Sequence, residues 1–144
     1  TMNLKSMTLV SIASSLIGCS GPSYMATPIA VNDQDISTVC VVNNNDLPIS
    51  VQGQINSYIT SRGYESLPIS GPGVSKDLGC DIYLVYGGLV EWDLGEFLHE
   101  LRVTIYTTEH VQVGYAEGKV PNNFNLSKWS NGDKLVGETV SQLL

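Results

Sequence analysis

Beyond about residue 36, the apolar positions switch between a strand period and a helix period, and the switches predict the elements. Ile36 to Val42, centred on Val39-Cys40-Val41-Val42, is a short apolar run that reads as a strand, broken by Asn43-Asn44-Asn45. Asp46 is then a candidate N-cap, and Pro48 sits where a first helical turn tolerates it. Val51, Ile55, Tyr58 and Ile59 recur at helical spacing, which predicts one buried helix face ending at Arg62-Gly63, with the glycine as a left-handed cap. Tyr64 to Leu67 is a candidate short strand, and Ile69 to Gly79, with Gly71-Pro72-Gly73, reads as a surface loop.

Three longer strands follow. Asp81 to Trp92 is almost continuously apolar, as in a central strand covered on both faces. Within it, Gly87-Gly88 marks a bulge or a close backbone approach. Leu101, Val103 and Ile105 alternate with Arg102, Thr104 and Tyr106, the pattern of a half-buried antiparallel strand. Thr108-Glu109-His110 makes a turn into a partner strand carrying Val111, Val113 and Tyr115. After a loop from Pro121 to Trp129, Asp133 is expected to cap a last helix whose Leu135, Val136, Thr139, Val140, Leu143 and Leu144 share a face. The order β-α-β-β-β-α predicts an α+β domain over 36–144: a two-layer fold with a mixed, mainly antiparallel sheet of four or five strands and both helices on one side. A right-handed first crossover sets the first strand parallel to the Ile82 strand, which brings Cys40 near Cys80 if those strands are neighbours.

The N-terminal pattern is of a different kind. Lys5 precedes an apolar stretch from Met7 to Ile17, as in an export signal over residues 1–18. Leu16-Ile17-Gly18-Cys19 follows directly and is similar to a bacterial lipobox, with a small residue before a cysteine that is to be acylated. Two or three acyl chains on Cys19 anchor a protein stably, whereas one holds it only reversibly. Ser20 in place of Asp after that cysteine points, by the sorting rule of lipoproteins, to the outer membrane, with the domain facing the periplasm. Residues 19–35, with Gly21-Pro22-Ser23 and Pro28, read as a flexible tether holding the domain on the order of 20 Å from the bilayer. The two remaining cysteines, Cys40 and Cys80, are an even pair in an exported chain, so a disulfide is expected in preference to a zinc site or a reactive thiol.

Leu84-Val85-Tyr86, Glu91-Trp92-Asp93, the strand from Leu101 to Tyr106, Asn125-Leu126-Ser127-Lys128-Trp129 and a helix ending in Leu143-Leu144 together resemble a family of small, uncharacterised proteobacterial lipoproteins. Each member has a signal peptide, a lipobox and one α+β domain, and the paired Cys40 and Cys80 fit it. The resemblance implies an architecture and an address, and brings no activity with it. The layout is also similar, in topology only, to domains of lipoproteins that activate peptidoglycan synthases or build secretion channels.

Composition narrows the function classes. With 144 residues, 42% hydrophobic, the chain holds one ordinary domain and is not globally disordered. A net charge of −7 disfavours a nucleic-acid partner, which needs a basic stripe. His99, beside Glu100 at a strand edge, and His110, in the hairpin turn, are expected to be solvated strand-end residues. No metal-ligand spacing, nucleophile elbow or phosphate loop is present, so neither an enzyme nor a resident cofactor or metal is expected.

Two candidate binding surfaces remain. One is the turn around Trp92, where Glu91, Asp93 and Glu96 surround an aromatic wall of the kind that suits a glycan or another small ligand. The other is the open face of the sheet, with Arg102, Thr104 and Tyr106 beside Gln112 and Gly114, which suits a protein partner. The expected role is a lipid-anchored, non-enzymatic adaptor or accessory subunit of an envelope assembly, contacting the membrane through Cys19 and another envelope protein through its body. A small-ligand or glycan-binding module is the alternative.

Overall fold

The computed structural model describes residues 22–27, 29–30, 33–92, 96–120 and 132–144. The expected signal peptide, Cys19, Asp93 and the Pro121–Trp129 loop lie outside the described residues. The fold is α+β. Six strands form one mixed sheet: β1 (Ser23–Thr27), β2 (Thr38–Val42), β3 (Glu65–Ile69), β4 (Ile82–Trp92), β5 (Glu96–Thr107) and β6 (Gln112–Lys119), in the order β1-β6-β5-β4-β2-β3. Helices α1 (Ile49–Ser61) and α2 (Gly132–Ser141) pack on each other and on one face.

The core lies between these layers. Val51, Ile55 and Ile59 of α1 and Leu135, Val136 and Val140 of α2 meet Val39, Val41, Leu84, Leu101, Val103 and Ile105 of the sheet, all buried. The strand residues come from alternate positions, as a two-residue period requires. Parallel pairing of β2 with β4 sets Cys40 beside Tyr83, and the Cys40–Cys80 disulfide closes with its Cα atoms 5.7 Å apart. Gly63, at φ 91°, ends α1 as expected.

Several local readings are corrected. Ser23–Thr27, inside the stretch read as a tether, is an edge strand antiparallel to β6. Its five residues carry neither charge nor a strong apolar pattern, because only Tyr24 and Ala26 turn toward the core and the backbone ladder with β6 supplies the rest. Asp46 does not cap α1. Its own N–H instead donates to Asn44 Oδ1 at 2.8 Å, and the helix starts at Ile49 after Pro48 with no side-chain cap. Helix α2 starts at Gly132, so Asp133 falls within its first turn rather than before it. His99 lies inside β5, a central strand, not at an edge.

On β6 the inward positions are Gly114, Ala116 and Gly118, not the larger Tyr115. Small residues there let α2 approach the sheet: a Cβ on Gly118 would overlap Thr139 Oγ1 and Leu135 Cδ1. Gly88 has a similar role within the sheet, since a Cβ there would overlap the backbone of Glu100, next to a register shift between Leu89 and Val90.

The far edge is protected by chemistry. Glu65 N–H donates to Ser37 O at 2.8 Å and Ile69 O accepts from Asn43 N at 2.9 Å, so the odd positions of β3 bond inward to β2. Pro68 therefore faces outward, where its missing N–H costs no ladder bond and blunts the edge against further pairing.

The start of β2 is latched to β4 by one carboxylate. Asp81 Oδ2 accepts from Ser37 N at 2.8 Å, Thr38 N at 2.9 Å and Ser37 Oγ at 3.0 Å. Hydrogen bonds from the Thr38 and Ser37 backbone hold the Asp81 carboxyl below its ordinary 3.8. A depressed folded value stabilises the fold above pH 3.8, and that contribution is lost as pH falls through the lower folded value. Asp81→Asn is expected to flatten the acid limb of a Tm-against-pH profile in that window. An acid limb as steep as that of the parent would contradict this assignment.

Candidate functional site

The helices cover one face of the sheet, leaving the odd-numbered residues of β4 and β1, Gln112, Tyr115, Glu117 and Lys119 of β6, and the even-numbered residues from Glu100 to Tyr106 in β5 on the other. Three groups occupy this open face, spread along the β4–β5–β6 meander.

The first group surrounds the disulfide. Cys40, Ile69, Cys80 and Tyr83 are buried together, flanked by Val42, Leu67, Val85 and Tyr106. The Tyr83 and Tyr106 rings stack with centroids 5.1 Å apart at an interplanar angle of 16°. The Tyr83 hydroxyl is hydrogen-bonded to His110 Nδ1 at 2.9 Å. His110 is in the expected turn and exposed, with a φ of 66°, and its ring also meets Tyr83 edge to face. Burial pushes the Tyr83 phenol above its ordinary value, and Tyr106 adds to the shift.

The second group is a four-charge network on β5 and β6, beside the start of β1. Arg102 pairs with Glu100 at 3.3 Å, Lys119 pairs with Glu117 at 2.7 Å, and strand register sets Arg102 opposite Glu117 and Lys119 opposite Glu100. The Tyr115 hydroxyl donates to Glu117 Oε2 at 2.6 Å. Hydrogen bonds from Lys119 and Tyr115 hold the Glu117 carboxyl below its ordinary 4.5. The same bond to Glu117, with burial, pushes the Tyr115 phenol up to about 12.

This coupling has a definite sign. The Tyr115 contribution is complete below pH 10 and is lost as pH rises through about 12, while the Glu117 contribution is complete above pH 4.5 and is lost as pH falls through its lower folded value. Glu117→Gln is expected to return the Tyr115 phenol toward 10, read by NMR titration of its ring carbons. An unmoved titration would show that burial alone sets the value.

The third group is at the far end of the β4–β5 hairpin. Glu91 pairs with Phe97 on this face, whereas the next backbone pair, Trp92 with the exposed Glu96, has the opposite parity. Phe97 is buried and meets the His99 ring edge to face at 6.2 Å. His99 Nδ1 is 3.9 Å from Glu91 Oε2 and has no hydrogen-bond partner among the described residues.

The two candidate surfaces lie far apart along β5. Glu96 and Tyr106 stand ten residues apart on one strand, about 34 Å at the usual rise, with Arg102 between them. Gly114 faces the helices, against Ile29 and Leu143, and drops out of the open face. Tyr115, Glu117 and Lys119 join it, a group that sequence reasoning passed over. The signal for them was present, since Tyr115-Ala116-Glu117-Gly118-Lys119 alternates functional with small residues. Among the described residues, no group of three or more His, Cys, Asp or Glu is placed to hold a metal ion, and no helix is long and apolar enough to cross a membrane.

These features define a small α+β domain with a disulfide-backed open sheet face. No family model and no curated protein matches the chain. Solved structures do. The chain is similar to a PelC dodecamer from Paraburkholderia phytofirmans in a single-residue variant form, at 14% identity and TM-score 0.62, covering 84% of this chain and 96% of that one. A second crystal form of the PelC dodecamer from the same organism aligns at 11% identity and TM-score 0.61, covering 85% and 99%. At these identities the likeness is one of fold.

Proposed function

We propose that this chain is a lipid-anchored protein of the bacterial outer membrane that faces the periplasm and acts, without catalysis, as an adaptor or accessory subunit of an envelope assembly. The observation that carries the reading is the lipobox-like Leu16-Ile17-Gly18-Cys19 immediately ahead of a disulfide-closed α+β domain. Disulfides persist in oxidising compartments, which agrees with export. The fold-level likeness to proteins that assemble as dodecamers supports a subunit role, with self-association as one form of it. At the disulfide end of the open face, away from the charged network, half-buried Tyr106 beside exposed His110 and Gln112 offers the mixed aromatic and polar surface typical of a protein contact.

The test is membrane fractionation and phenotype of Cys19→Ala in cells, with in-cell photocrosslinking from Tyr106 read by mass spectrometry. Release of Cys19→Ala from the membrane fraction and one reproducible protein crosslink are the expected results. Unchanged fractionation and phenotype would overturn the reading.

A further inference from the structure

The anchor and the fold meet within a very short length of chain. Cys19 precedes Ser23, the first residue of β1, by four positions, a reach of at most about 14 Å when fully extended. β1 is hydrogen-bonded into the sheet along its whole length, so a lipid on Cys19 holds this corner of the domain, and not a distant tether, at the bilayer.

The surface at that corner has a distinct chemistry. Register places Ser23, Lys119, Glu100 and Leu89 in one row across β1, β6, β5 and β4, and Met25, Glu117, Arg102 and Gly87 in the next. Met25 and Leu89 are large apolar side chains left 61% and 48% exposed. Between them, the Lys119 and Arg102 side chains are 50% and 47% exposed, whereas their partners Glu117 and Glu100 are only 15% and 10% exposed. The carboxylates lie underneath and the cations on top. In a chain of net charge −7, this patch turns positive charge and apolar tips outward next to the anchor.

Resting on the lipid-anchor reading above, we propose that the open-face corner formed by Met25, Leu89, Lys119 and Arg102 docks on the lipid surface itself, with the cations on anionic headgroups and the apolar tips at the headgroup boundary. The short reach keeps the patch at high effective concentration beside lipid, so weak contacts suffice. The opposite edge, β3, lies five strand spacings away, about 24 Å, and points into the periplasm, free for partners.

The experiment places a photocrosslinking amino acid in turn at Met25, Leu89, Glu65 and Ile49 of the full chain expressed in cells. Glu65 is on the far edge, and Ile49, 86% exposed on α1, controls for apolarity alone. Phospholipid adducts from 25 and 89, absent from 49 and 65, are the expected result. Protein adducts alone from 25 and 89, or lipid adducts equally from all four positions, would overturn the docking. Metabolic labelling of Cys19 with an alkyne fatty acid in the same cells separates the two readings. A labelled chain without lipid adducts at 25 and 89 overturns the docking and leaves the anchor standing, whereas an unlabelled chain overturns both.

Discussion

Replacing Cys40 and Cys80 together by alanine is expected to lower the unfolding free energy by about 4 kcal/mol, measured by urea denaturation of the domain under oxidising conditions. The two residues are 40 apart in sequence, and the bond denies the unfolded chain the freedom of that loop. In the folded state the bond is part of the packing, because Cys40 is fully buried and Cys80 nearly so, beside Ile69 and Tyr83. The loop from Gly71 to Gly79, which contains only a short 3-10 turn, is fastened to the sheet at Cys80. Wild-type protein unfolded in reductant is expected to lose a similar amount. A double variant within about 0.5 kcal/mol of the parent, the range of an ordinary surface change, would show that the sheet alone sets the fold's stability.

The second large effect is expected at Gly118. Gly118→Val places a Cβ into Thr139 Oγ1 and Leu135 Cδ1, with the Tyr24 ring at 3.0 Å on the third side. None of these gives way cheaply. Thr139 is fully buried with its hydroxyl bonded to Leu135 O at 2.6 Å, and Tyr24 belongs to the strand that closes the sheet. The expected cost is about 3 kcal/mol, at the upper end for overpacking, since both α2 and β1 must shift. Gly87→Val is the matching control. It lies in the interior of β4, two strands from β6, but a Cβ there meets nothing within 4 Å, so the change is expected within about 0.5 kcal/mol of neutral. Thermal melts of the two variants settle it, and equal losses would refute the assignment of Gly118 to helix packing.

That pair shows where local reasoning stops. By strand propensity, both glycines are weak points that valine ought to improve. Only the helix laid over β6 makes one of them indispensable. The same holds for the candidate site. Alternation put Arg102 and Tyr106 on one face of β5 and left Glu96 to a separate turn, but periodicity carries no distance, and only the length of the β4–β5 hairpin sets how far apart they stand. The His110–Tyr83 bond joins residues 27 apart in sequence, and nothing in either neighbourhood announces it.

What the sequence determined by itself is what depends on near neighbours: the helix faces of Val51, Ile55 and Ile59 and of Leu135, Val136 and Val140, the alternation of β5, the glycine cap at Gly63, and, through the handedness of one crossover, the pairing of Cys40 with Cys80. These follow from backbone periods and chain chirality, which act over a few residues or a single connection. The tertiary structure alone decided the rest. It recruited Ser23–Thr27 as a sixth strand by lending it the edge of β6, turned the small side of β6 toward α2, and set a buried Glu100 and a half-buried Glu117 beneath Arg102 and Lys119. Those outcomes depend on which strands become neighbours and in what register, and register is set by the packing of the whole sheet against its helices.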